Sequence, residues 1–304
     1  MSKPNLSSAK ALKNNKANLS ERFWIAMFLL PCLIFILVYS GAPIIITMVT
    51  AFCKWDGITT PIFDGLNNFR YIFYRDADFM ISLINTLKWL VIQVVVQTFL
   101  AIMAGFIMSR EFRGWKVYRS LLMVPHIVPS AALATMFSYI FNPDIGLLNA
   151  LLRLVGLENL ATNWLGFGDT AFWAVTSSWI FYCGLVGMLI YSSIVAIPDS
   201  QRESAMLDGC TKLQTDVYIV FPQLRNTIAT SMIMSTTTAV GMFDFIYMMT
   251  NGGPGNATMN LPMLVFKMAT GGLYGRAMAV CLIQASIGIV VISLINKFMI
   301  KDAD

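Results

Sequence analysis

Six stretches of this chain are apolar over about the length of a helical membrane crossing: residues 23–52, 83–108, 121–141, 171–197, 228–249 and 277–295. A hydrocarbon layer about 30 Å thick is crossed by about 20 helical residues, so each stretch predicts one transmembrane helix. A soluble core could not hide this surface, because apolar residues make up 57% of the chain and charged ones only 12%. The expected fold is therefore an all-α integral membrane protein with about six transmembrane helices and no large soluble domain. A polar tail over residues 1–22 precedes a transmembrane domain over residues 23–304.

The cations set an orientation. With both termini cytoplasmic, the inner segments hold fourteen: Lys3, Lys10, Lys13, Lys16, Arg22, Arg110, Arg113, Lys116, Arg119, Arg202, Lys212, Arg225, Lys297 and Lys301. The outer segments hold six, Lys54, Arg70, Arg75, Arg153, Lys267 and Arg276, and Lys88 falls inside a span. This is the positive-inside distribution. The net charge of +5 thus reports topology and gives no reason to expect nucleic-acid binding. The first apolar run is too long for a signal-peptide core and is expected to be retained. Cys32, Cys53, Cys183, Cys210 and Cys281 show no C-x-x-C spacing, which argues against a metal site or a disulfide framework.

Between the fourth and fifth spans the chain turns charged over residues 198–224. Glu203-Ser-Ala205-Met-Leu-Asp208 reads as a short helix, and Gly209 supplies the permissive backbone that lets it end in a sharp turn. Acids near the start of a helix suit its positive end, and Glu203 and Asp208 could equally meet cations on a partner. As ordinary solvated loop acids they would need no partner. Pro222 sits just before the fifth span, close to where proline is tolerated.

This segment resembles the E-A-A-x-x-D-G loop that ABC importer permeases present to their ATPase subunits. Glu203, Ala205, Asp208, Gly209, Ile219 and Pro222 stand at the matching positions, whereas Ser204, Cys210, Asp216 and Phe221 depart from the pattern. Phe243-Asp244-Phe-Ile-Tyr247-Met-Met-Thr250-Asn251-Gly-Gly-Pro254 is similar to the F-D-x-I-Y-x-L-T-x-G-G-P signature of the first maltose- or glycerol-phosphate-type permease. Weaker words within Asp64–Arg70, Ile84–Thr86, Asn142–Asn149 and Asn163–Gly166 resemble the same family and are also ordinary turn chemistry.

The resemblance implies a non-catalytic permease subunit of an ATP-driven sugar importer in the bacterial cytoplasmic (inner) membrane. Its implied partners are a second permease, an ATPase dimer, an extracytoplasmic sugar-binding protein and the carbohydrate. ATP and Mg would be bound by the ATPase and no cofactor by this chain, which has nothing resembling G-x-x-x-x-G-K-[ST]. An ion-gradient-driven carrier would show more intramembrane ionisable groups and repeated halves. A permease for a non-sugar solute is the other alternative, since such permeases share the E-A-A loop, but the F-D-x-I-Y and T-x-G-G-P stretch favours carbohydrates.

Asp244 is the acid expected inside a span, where an ionisable group is a functional candidate facing a cavity. On a continuous helix Phe243, Tyr247 and Thr250 would share one face, and Asp244, Tyr247 and Asn251 a neighbouring one. These residues, with Tyr182 and Gly184 of the fourth span, are the candidate substrate pathway. The competing role for Asp244 is a bond to a neighbouring helix, and for Gly184 close helix packing. His126 is expected in interface packing, Lys88 to snorkel outward, and residues 147–157 to form a short interfacial helix.

Overall fold

A computed structural model describes residues 21 and 23–300. The tail expected over residues 1–22 lies outside them, apart from Glu21, and so do both chain ends.

Among the described residues, three helices are long and apolar enough to cross a membrane unaided: α1 (Phe23–Thr50), α3 (Ala77–Ser109) and α14 (Tyr274–Met299). Between α1 and α3 come a short hairpin, β1 (Cys53–Lys54) with β2 (Ile62–Phe63), and a two-turn helix, α2 (Asn67–Tyr74). Only the end of α1 meets α14 closely, and the rest of its surface is exposed apolar side chain.

The third expected span is not one helix. α4 (Trp115–Ile127) and α5 (Ser130–Ile140) meet at a bend of 100°. Pro129 causes it, because a proline ring pushes the preceding residue out of helical conformation, and Val128 is extended at φ −82°, ψ 132°. The fourth span is likewise broken, with α7 (Gly168–Trp179) and α8 (Gly184–Val195) bent by 44°. Between α5 and α7 lies the short helix expected there, α6 (Leu147–Leu154).

The segment between α8 and the fifth span folds into α9 (Asp199–Leu207) and one helical turn, α10 (Lys212–Thr215), followed by a widened π turn at Asp216–Val220. Pro222 lies just beyond that turn and can donate no main-chain bond, the setting in which helices widen or kink.

The fifth expected span, residues 228–249, breaks in two. α11 (Arg225–Val240) stops at Gly241, and a separate helix, α12 (Asp244–Met249), starts at Asp244. α11 is rich in Ser and Thr, which lowers its hydropathy. Those hydroxyls bond back one turn, as Ser231 does to the Thr227 carbonyl at 2.8 Å and Thr236 to Met232 at 2.8 Å. α13 (Leu261–Thr270) leads to α14.

The main core gathers Trp89, Phe79, Trp179, Ile246 and Met259 where α3, α7, α12 and α14 meet. Trp89 stacks on Phe172 at 4.8 Å and donates its indole N–H to Thr176 Oγ1 at 2.8 Å. Close approach of α3 and α8 depends on glycine. A Cβ on Gly105 would lie 2.6 Å from Ile190, and one on Gly187 3.3 Å from Ala104.

The weak sequence words prove to be buried clamps. Asn85 donates to the carbonyls of Ala257 at 2.9 Å and Met259 at 3.0 Å, and Thr86 Oγ1 accepts from the Leu261 N–H at 2.9 Å. Asn149 accepts from the Trp164 indole at 2.8 Å. Asn68 donates to Ala51 and Cys53, both at 2.9 Å.

Candidate functional site: a polar cavity and a charged loop

The break at Gly241–Phe243 creates the first site. Asp244 opens α12, so its carboxylate stands at a helix start, and the Ser130 hydroxyl at the start of α5 donates to it. Both side chains line a cavity of 330 Å³ walled also by Gln93, Gln97, Trp179 and Tyr182. Thr237, Thr238 and Phe243 lie on the same wall.

Two polar atoms at this wall have no partner: Gln93 Oε1 and Trp179 Nε1. One is an acceptor and the other a donor, both buried, and a buried polar group left unpaired costs about 1–3 kcal/mol. Gln97 is already engaged, donating to the Tyr182 carbonyl at 2.8 Å. Sequence reading missed Gln93, Gln97, Ser130 and Trp179. The available signal was the pair of amides one helical turn apart within an apolar span.

The other pathway candidates sit elsewhere. Tyr247 stacks on Phe243 at 5.1 Å and meets Phe266 edge-on at 5.2 Å, an aromatic trio beside the cavity. Thr250 and Asn251 do not continue a helical face with Asp244, because α12 ends at Met249 and Asn251 is left-handed at φ 51°. Thr250 instead bonds Thr258 at 2.6 Å across the Gly-Gly-Pro loop. At Gly184 a Cβ would lie 2.0 Å from the Leu122 carbonyl oxygen, so this glycine brings α8 against α4. His126 stacks on Tyr182 at 4.0 Å and accepts from the Leu185 N–H at 3.4 Å.

A larger cavity of 840 Å³ between α3 and α7 is lined mainly by apolar side chains, with Lys88 and Asp169 among them. Lys88 is exposed, and its ammonium lies 5.6 Å from the Phe172 ring centre. This groove lacks the convergent polar groups of the smaller cavity.

The second site is the charged loop. α9 begins after Pro198, nearer the fourth span than the sequence suggested, and ends at Asp208. Gly209 has φ 87°, its N–H bonds the Met206 carbonyl at 3.1 Å, and the Cys210 N–H reaches Ala205 at 3.0 Å. That pair of bonds is a glycine-dependent helix stop. Thr211 and Gln214 then form a capping box that starts α10.

Ala205 is buried, whereas Glu203, Asp208 and the apolar Leu207 and Leu213 are exposed. Ile219 is half-buried and Pro222 exposed. The loop is tied down at three places. Arg202 donates to the Ile194 carbonyl at 2.6 Å, Gln223 to Gln201 Oε1 at 2.8 Å, and Arg110 pairs with Asp216. The result is a rigid, protruding helical turn with acids and apolar side chains on its outer surface.

A helical membrane bundle with a broken-helix polar cavity and a protruding charged turn defines a transport permease. Residues 97–301 match the family of binding-protein-dependent transport system inner membrane components, and the chain belongs to that family. It is 33% identical to the "Probable ABC transporter permease protein YurN" of Bacillus subtilis, over 90% of this chain and 94% of that one. The "Trehalose/maltose transport system permease protein MalF" of Thermococcus litoralis is 27% identical, over 84% of this chain and 87% of that one. Among solved structures, a bacterial ABC transporter that imports the acidic polysaccharide alginate matches with a TM-score of 0.80 at 19% identity. That match covers 94% of this chain and 98% of that one, and it shows a shared fold.

Proposed function

We propose that this chain supplies one half of the solute pathway of an ATP-driven carbohydrate importer, with a related permease closing the open side of the 330 Å³ cavity. The observation that carries the solute class is the cavity's lining, in which Asp244, Ser130, Thr237 and Thr238 stand beside the rings of Tyr182 and Phe243. Sugars present alternating hydroxyls and apolar ring faces, which such a wall serves. Relatives named for trehalose and maltose, for multiple sugars and for starch degradation products support the same reading.

Power comes from a separate ATPase dimer, which holds ATP and Mg and grips the turn around Glu203, Asp208 and Gly209. A loaded extracytoplasmic binding protein delivers the sugar to the opposite face. Alternating access follows if closure of the ATPases pulls this turn, because Arg110–Asp216 links it to α3 and Gln93 and Gln97 stand on that same helix.

The test is reconstitution. The chain alone should transport nothing, with or without ATP. With the second permease, the ATPase and the loaded binding protein it should accumulate sugar against a gradient. Uptake by the isolated chain on a proton or sodium gradient would sink this reading in favour of a secondary carrier.

A further inference from the structure

Cations are scarce on the face opposite the charged loop, and those present are gathered. Of Lys54, Arg70, Arg75, Arg153, Lys267 and Arg276, three line one cavity of 430 Å³: Arg70, Arg75 and Arg276. Lys54 lines the adjoining cavity of 390 Å³, which shares Asp64 and Arg276 with the first. Among the described residues none of these three arginines forms an ion pair. Asp64 is the one acid in the larger cavity, and its carboxylate accepts from Asn67 at 2.9 Å. Three guanidiniums against one carboxylate leave this cavity with a net positive charge, which favours an anion, although Asp56 joins Asp64 in the adjoining cavity.

We propose that this cavity holds the phosphate of an anionic phospholipid headgroup in the outer leaflet. Three features favour a lipid as the source. First, the guanidinium carbon of Arg276 lies over the Tyr71 ring, 3.6 Å from its centre. Stacking uses the face of the guanidinium and leaves its in-plane N–H groups free to grip an oxyanion, which a fork of donors does well.

Second, α2 is an amphipathic helix. Asn68 and Ile72 are buried, whereas Leu66, Arg70, Phe73 and Tyr74 form an exposed apolar face with one cation in it. Such a face belongs at a membrane interface, where aromatic rings sit at headgroup depth. Third, α2 runs directly into α3, a span, so its position at that depth is set by the chain itself.

The test uses the assembled transporter in nanodiscs of phosphatidylcholine doped with phosphatidylglycerol, followed by mass spectrometry of the retained lipid. Phosphatidylglycerol should be enriched around the wild type, and each of Arg70→Gln and Arg276→Gln should reduce the enrichment about fivefold. Arg75→Gln, which lacks the Tyr71 contact, carries the comparison if Arg276→Gln fails to assemble. Equal enrichment around wild type and variants would overturn the proposal. So would variants that keep their lipid but demand more binding protein for stimulated ATP hydrolysis, since that outcome makes the patch a protein dock.

Discussion

Arg110, just past the C-terminal end of α3, forms an ion pair with Asp216 in the π turn that follows α10. Asp216 is one of the four positions at which the loop departs from the E-A-A pattern, and its carboxylate makes this pair. The side chains are 45% and 25% exposed, so the pair is worth only about 0.2–1 kcal/mol in stability. Its value lies in geometry, because it links the loop to a helix that lines the cavity.

Asp216→Ala should therefore leave insertion and thermal stability nearly unchanged while lowering solute-stimulated ATP hydrolysis in the assembled transporter. Exchanging the charges, with Arg110→Asp and Asp216→Arg together, should restore part of it. A double variant no better than the worse single one would show that the pair does not carry coupling.

Gly209 is the second target in the loop. Its φ of 87° lies where side chains are disfavoured by about 1–2 kcal/mol. No atom approaches the position of an added Cβ, so backbone strain is the whole effect. Gly209→Ala and Glu203→Ala should both reduce co-purification with the ATPase, the first by deforming the turn and the second by removing an exposed acid. Normal coupling in both would separate this loop from the ATPase.

Much of this site could be read from the chain and some could not, for definable reasons. Glu203–Gly209 was legible because a helix, its glycine stop and its acids are local. The clamp of Asn85 on Met259 spans 174 positions, and no local pattern announces such a partner. Asn85-Thr86 and the Gly-Gly-Pro segment were visible as separate words, without the bond that joins them. The break before Asp244 was hidden because residues 228–249 have the length of a span, and Gly241, where α11 stops, is of a type common within membrane helices. Thr250 and Asn251 were consequently placed on a face that the chain does not build. The bend at Pro129 was foreseeable from proline chemistry, but apolar length alone suggested a straight span.

Gly184 offers a packing prediction. A Cβ there would lie 2.0 Å from the Leu122 carbonyl oxygen and 3.4 Å from the His126 ring, so α4 and α8 must separate to admit it. Gly184→Ala should cost about 1–3 kcal/mol, read as a lower melting midpoint of the assembled transporter. Gly187→Ala, whose nearest neighbour is an alanine methyl at 3.3 Å, should cost less.

Asp56, in the hairpin loop outside the spans, gives a pH prediction. The Ile58 N–H, then the Thr59 N–H and hydroxyl, donate to its carboxylate and hold its pKa at about 2, below the ordinary 3.8. A depressed native pKa means that the staple contributes fully above the ordinary value and is lost as pH falls from about 4 through about 2. A carboxyl NMR titration should place its midpoint near the lower figure. Thr59→Val, which removes one donor, should move that midpoint upward.

The polar cavity makes the most direct claim about solute. Gln93 Oε1 and Trp179 Nε1 lack protein partners, whereas Asp244 has Ser130, so their loss should be felt differently. Gln93→Leu and Trp179→Phe remove polar groups of the cavity lining that no protein atom satisfies. Each should raise the half-saturating load for uptake by up to about tenfold, the worth of one hydrogen bond, with assembly intact. Asp244→Asn keeps an acceptor for the Ser130 hydroxyl and should preserve folding while reducing uptake, and basal ATP hydrolysis should survive. Measured uptake should therefore fall in all three variants while melting midpoints stay near the wild type. If Gln93→Leu and Trp179→Phe instead raise the melting midpoint without changing uptake, the two atoms are merely unsatisfied and the sugar passes elsewhere.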